Sequence, residues 1–170
     1  MVKTKLKSLP SRNELDKNFI WKIEDLYPSD EDCKNDMLQL ESSFDKLSKF
    51  QNKLGDSSDN LLSCLILNDE LSQIIEKIYV YSHMKLHEDT SSSIYQALSD
   101  GAKSLSIKFS AIASFIIPEI LLIPEDTLYR YINENESLKL YTHFLHDLLR
   151  QKEHILSKKE EELLARVSEI

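Results

Sequence analysis

Residues 29–58, SDEDCKNDMLQLESSFDKLSKFQNKLGDSS, decide the fold class. Ser29 can cap a helix, with Asp32 three residues on in the capping-box position. Asp30 and Glu31 add negative charge at the positive end of the helix dipole. Apolar residues follow at Cys33, Met37, Leu40, Phe44, Leu47, Phe50 and Leu54. Steps of three and four make one stripe along a helix, so the spacing predicts an unbroken helix up to Leu54. Gly55 then reads as its left-handed C-terminal residue. Working outward, a second helical tract is expected from about Asp59 to Glu88. Its faces are Leu61, Leu62, Leu65 and Ile66, then Leu71, Ile74, Ile75, Ile78, Tyr81 and Ser82, with a break expected at Asn68-Asp69. A third helix is expected over 92–117, with bulky Ile94, Leu98, Leu105, Phe109, Ile112 and Ile116. Small residues at Ser99, Ala102, Ser106, Ser110 and Ala113 run beside them; they suit the close approach of a neighbouring helix or a smooth wall beside a ligand. Pro118 and Pro124 mark helix starts or kinks. Further helices are expected over 125–133 and 137–156, the latter with Leu138, Tyr141, Leu145, Leu148 and Ile155 on one side. Ser157 and Glu160 open a last one carrying Leu163, Leu164, Val167 and Ile170. Residues 1–28 read as an extended lead-in ending at Pro28, and 29–170 as one helical lobe.

Composition agrees. Only 2 glycines and 4 prolines punctuate 170 residues, whereas a β-rich chain needs a turn every 8–12 residues or so. The fold class is therefore all-α, an antiparallel multi-helix bundle. With 21 Lys and Arg against 29 Asp and Glu the net charge is −8, which repels a polyanion and argues against a nucleic-acid partner. Lys3, Lys5 and Lys7 could open a signal peptide, but no apolar core of about 7–15 residues follows them. The apolar run Phe109–Ile123 is interrupted by Pro118 and Glu119 and falls short of the roughly 18–20 residues of a membrane span, so no membrane partner is expected. Cys33 and Cys64 are isolated and read as small buried hydrophobes. The expected compartment is the cytosol.

Motifs for chemistry are sparse. His83 and His87 lie four apart on one helix face, the spacing of two zinc ligands, with Glu88 next. Lys85 between them would compete with a cation. His143 and His146 share another face, with His154 further on, and no carboxylate is expected in the adjoining turn of that face. Both sets read as ordinary helix-surface histidines. The zinc-peptidase signature H-E-x-x-H starts at His87-Glu88 and fails at Ser91. No catalytic, cofactor-binding or metal-binding residue is therefore assigned within the chain.

Four landmarks nevertheless carry a resemblance. Leu9-Pro10-Ser11-Arg12 followed by Trp21-Lys22-Ile23-Glu24-Asp25-Leu26-Tyr27-Pro28 resembles the opening of the oligoendopeptidase F family of zinc peptidases, relatives of thimet oligopeptidase. So do Val80-Tyr81-Ser82-His83-Met84-Lys85-Leu86-His87-Glu88-Asp89-Thr90, Ser114-Phe115-Ile116-Ile117-Pro118-Glu119-Ile120-Leu121, and the run from Arg150 through Ser157 to Ala165. The departures are Cys33, where the family favours an aromatic residue, and His87, where it favours an acidic one.

The resemblance implies the N-terminal lobe of a larger, mostly helical enzyme, in which two portions enclose a channel for short unstructured peptides. The zinc, the H-E-x-x-H helix and a later Glu ligand would belong to a catalytic domain beyond Ile170. There the metal would activate a water and the motif Glu would take its proton. This chain, a fragment on that reading, would be non-catalytic and inactive alone. Its partners would be its own catalytic domain and peptide substrates, and the stripe from Leu163 to Ile170, left uncovered, would favour self-association. The alternatives are a stand-alone helical interaction module without enzymatic activity and a small metal-binding bundle built on the histidines. The sequence that follows residue 170 would separate them.

Overall fold

The computed structural model describes residues 14–152. In chain order they form short 3-10 helices at Lys17–Phe19 and Ile23–Asp25, then α1 (Asp30–Ser48), α2 (Ser58–Glu88), α3 (Ser93–Ala113), α4 (Ile116–Leu122) and α5 (Glu125–Glu134). A 3-10 helix at Glu136–Tyr141 and α6 (Thr142–Gln151) follow. Among the described residues there is no strand, and the fold is all-α. The second capping box at Ser157 and the stripe from Leu163 to Ile170 lie outside them.

The start of α1 is as the sequence predicts. The Asp32 N–H donates to Ser29 Oγ at 3.2 Å, and the Ser29 hydroxyl donates to the Asp32 carboxylate at 2.7 Å. Its end is not. The helix stops at Ser48, and successive turns carry the chain on, with Phe50 N–H on the Leu47 carbonyl and Lys53 N–H on that of Phe50. Leu54 is still buried, but it enters from a loop, because tight turns can preserve a spacing of three and four without a helix. The left-handed residue is Asn52, at φ 63°, and no described glycine has a positive φ. A Cβ on Gly55 would meet Ile123 Cγ1 at an ordinary 3.7 Å. Gly55→Ala is therefore expected to be neutral or to stabilise by up to about 1 kcal/mol through the unfolded chain. Asn52→Val should cost about 1–2 kcal/mol, because a β-branched residue resists the left-handed region. Urea titration of both variants checks this, and the opposite ranking would restore Gly55 as the helix terminator.

The break expected at Asn68-Asp69 is absent: α2 runs unbroken for 31 residues. Asn68 is half-buried and Asp69 accepts a hydrogen bond from the Tyr141 hydroxyl at 2.7 Å. Tertiary contacts thus outweigh the modest helix penalty of the pair. The tract over 92–117 divides instead. Pro118 has no N–H to offer the Ser114 carbonyl, so α3 ends at Ala113 and α4 begins afresh at Ile116. The run Ser93–Leu122 has the length and composition to cross a membrane, which corrects the expectation that no stretch does; the turn at Ser114-Phe115 breaks it. The helix expected over 137–156 also divides. The Asn135 side chain accepts from Ser137 N–H at 3.1 Å and opens the 3-10 turn, and α6 begins only at Thr142. Residues 17–25, read as part of an extended lead-in, carry the two 3-10 turns.

The chain divides into two compact units. One combines the residues up to Ser43 with Glu70–Phe109. Its core holds Tyr27, Cys33 and Leu40 against Leu71, Ile78, Leu98 and Leu105. The rings of Tyr27 and Tyr81 meet edge-on at 5.2 Å, and their hydroxyls donate to Asp36 and Asp30 at 2.8 and 2.7 Å. Each oxygen thus finds an acceptor while its ring fills the core. The small-residue stripe serves packing here: Ser99 and Ala102 are buried, and a Cβ on neighbouring Gly101 would lie 3.0 Å from Met37 Cε.

The other unit combines Phe44–Asp69 with the residues from Ser110. Leu47, Leu54, Leu61, Ile120, Leu128, Leu138 and Leu145 form its core. Polar ties secure the loops: the Tyr131 hydroxyl donates to the Gly55 carbonyl at 2.7 Å, and Asn52 N–H donates to the Glu119 carboxylate at 2.6 Å.

Candidate functional site

The histidine pair of α2 belongs to the first of these units. Tyr79, His83 and His87 share a face at steps of four. The Tyr79 and His83 rings stack at 3.8 Å between centroids, and His87 stands edge-on to His83 at 6.4 Å. His83 Nδ1 lies 2.9 Å from the Tyr79 carbonyl, which can only accept, so that nitrogen carries the proton. Its Nε2 then accepts from the Ser99 hydroxyl at 3.4 Å. Both ring nitrogens are engaged within the protein, and neither is directed to a metal. No group of three His, Cys, Asp or Glu side chains among the described residues could hold a metal ion. The His83–His87 pair, as placed, does not fit a zinc site.

Ser99 beside His83 has the composition of a nucleophile and its base, but Ser99 is wholly buried. A hydroxyl that reaches no substrate cannot attack one. The pair instead ties α2 to α3.

The second histidine set is not brought together. The Nε2 of the exposed His143 lies 3.5 Å from the half-buried Asp147, the carboxylate in the next turn that the sequence reading missed. His146 turns its ring edge-on to Tyr129 at 5.4 Å. His154 lies outside the described residues. The thiols are no better placed for chemistry. Burial pushes Cys33 up to about 11, with Asp36 and Asp30 adding to it, and pushes Cys64 up to about 12, with Glu119 adding. Such thiols stay protonated and inert at neutral pH.

One surface feature escaped the sequence reading. Beside the C-terminal end of α2, Phe19, Ile20 and Trp21 with Met84, His87 and Glu88 border an open recess of about 450 Å³. Phe19 is 83% exposed and Trp21 80%. The only signal in the sequence is the pair of aromatics ahead of the first long helix, and no periodicity marks them as a surface. The recess offers apolar contact, an imidazole and a carboxylate.

The sequence model of the family described as Oligopeptidase F matches residues 119–170. The chain is 38% identical over 166 residues to Oligopeptidase PepF of Bacillus subtilis, covering 98% of this chain and 25% of that protein. It is 34% identical over 160 residues to the Group B oligopeptidase PepB of Streptococcus agalactiae, covering 94% and 27%. The crystal structure of oligoendopeptidase-F from Enterococcus faecium superposes with a TM-score of 0.69 and 31% identity, over 83% of this chain and 28% of that one. The chain thus spans about a quarter of the length of the relatives it matches. Over 98% of its length it is similar to the N-terminal region of the oligoendopeptidase F family.

Proposed function

We propose that this chain forms the non-catalytic, channel-walling N-terminal lobe of a zinc-dependent oligoendopeptidase acting in the cytosol on short unstructured peptides. The observation that carries this reading is the match to Oligopeptidase PepF, which takes in nearly all of this chain and a quarter of that protein. Zinc and the groups that act on its water belong, on this reading, to the remaining polypeptide. The lobe's own share is steric and positional: to restrict entry to short chains, to hold an extended peptide, and to move as substrate enters. The exposed aromatics Phe19 and Trp21 suit contact with such a chain, since they give a large apolar area at little conformational cost.

The test is a chimera in which residues 1–170 replace the matched quarter of B. subtilis Oligopeptidase PepF. It is expected to cleave a quenched fluorescent peptide, to lose that activity with a chelator, and to spare folded proteins. The chain alone, with added zinc, is expected to give no turnover. Metal-dependent cleavage by the chain alone would overturn the reading, as would a folded chimera with no activity.

A further inference from the structure

Met37 of α1 is half-buried and packs on α3 within the first unit. Its Cε would lie 3.0 Å from a Cβ on Gly101, so the methyl takes the space that a side chain there would fill. A glycine permits that close approach. The same thioether side chain borders an open trough of about 440 Å³, lined also by Leu38, Ser104 and Leu105 and flanked by the Glu41–Lys108 ion pair. A small molecule in the trough therefore meets the Met37 side chain, whereas Cys33 and Cys64 are wholly buried.

We propose that Met37 is an oxidation site, and that its conversion to the sulfoxide by hydrogen peroxide loosens α1 from α3. A sulfur lone pair attacks one peroxide oxygen, and the O–O bond breaks as the S–O bond forms. The proton of the attacked oxygen passes to the departing one, which leaves as water; the sulfur is oxidised by two electrons and the peroxide reduced by two. The new oxygen is a strong acceptor on the atom next to the methyl that covers Gly101. Turned toward α3, it meets a helix whose interior N–H groups are already engaged by carbonyls of the same helix, so it is buried without a donor. Turned toward the trough, it gains water, and the flexible side chain draws its methyl away from Gly101. Either orientation weakens the contact between the two helices. Reduction of the sulfoxide restores the thioether, so the site is reversible.

Peptide mapping by mass spectrometry, together with thermal melts of the chain treated with hydrogen peroxide, tests this. Met37 is expected to oxidise in the folded chain and to lower the melting temperature by about 3–6 °C. Methionine sulfoxide reductases acting on both epimers should return it to the starting value. Met84, which borders the recess beside Trp21, serves as the control. Met84→Leu should show the same fall, and Met37→Leu, which keeps an apolar side chain of similar volume, should show none. Gly101→Ala is expected to raise the oxidation rate of Met37 several-fold and leave that of Met84 unchanged, because the added Cβ pushes the flexible methyl toward the trough. Those rates decide the matter even where Met37→Leu folds poorly. A Met37 that stays reduced until the chain is denatured would overturn the proposal, as would its complete oxidation with no change in melting temperature. A fall that persists in a folded Met37→Leu, or a Met37 rate unmoved by Gly101→Ala, would overturn it as well.

Discussion

Leu145→Ala is expected to lower stability by about 2–5 kcal/mol, whereas Leu140→Ala, five residues away, should change it by less than about 0.5 kcal/mol. Leu145 exposes none of its surface and packs in α6 on the core it shares with Leu128 and Leu138. Removing its branched end forfeits apolar burial and leaves a cavity that neighbouring helices relax into only partly. Leu140, by contrast, is 87% exposed. It loses little on truncation, since little of it is withdrawn from water on folding. Urea midpoints for the two variants, read by far-ultraviolet circular dichroism, give the comparison directly. Similar losses at both positions would mean that Leu140 is covered in solution, by another copy or by the chain itself.

Alkaline conditions are expected to destabilise the protein steeply from about pH 9 upward. Burial is the leading cause at four groups. It pushes Cys33 up to about 11 and Cys64 up to about 12, and it raises the Tyr27 and Tyr81 phenols above their ordinary range. Hydrogen bonds to Asp36 and Asp30 add to the tyrosine shifts, because a phenolate beside a carboxylate would lose its donor and meet a like charge. For an acid whose folded-state value is raised, the native protein holds its proton after the unfolded chain has released it. Stability contributed by these groups is therefore complete below their unfolded values, near 9 for the thiols and near 10 for the phenols. It declines as pH rises toward the folded values. Cys64, whose thiol is raised further than that of Cys33, is expected to carry the larger share of the thiol part of that fall. Urea midpoints across pH 7–11 should fall only above pH 9, and Cys64→Ala, though less stable at neutral pH, should show a shallower fall. An unchanged slope in that variant would mean that its thiol is hydrated in the native state.

Helix starts were legible wherever a polar cap met an apolar stripe, as at Ser29 with Asp32. The all-α class was legible too, since so few glycines and prolines disfavour the frequent turns of a sheet. Helix ends were less so. The spacing of Leu47, Phe50 and Leu54 continues as if α1 ran on, yet the chain leaves the helix at Ser48 and turns through Asn52. Periodicity reports that a residue returns to the core side, not the path that brings it there. Gly55, the residue that sequence reasoning favours for a left-handed position, does not occupy one.

The chemistry divides in the same way. The failed zinc-peptidase motif at His87–Ser91 is decided by residue identity, and so is the kinship carried by the four landmarks. The state of the histidines is not. His83 is closed to a metal because Tyr79 and Ser99 take both its nitrogens, and Ser99 is 16 residues distant on another helix. The same holds for Asp69, whose neighbour Asn68 makes a plausible break by propensity but which is held in α2 by a tyrosine 72 residues away. By itself the sequence determined what depends on neighbours along the chain: helix class, caps, net charge and family. Only the tertiary structure decided what depends on distant partners, namely where helices stop, which leucines are core and which polar atoms are already engaged. Burial and hydrogen-bond satisfaction are properties of groups that the chain brings together in space, and a one-dimensional pattern carries no record of them.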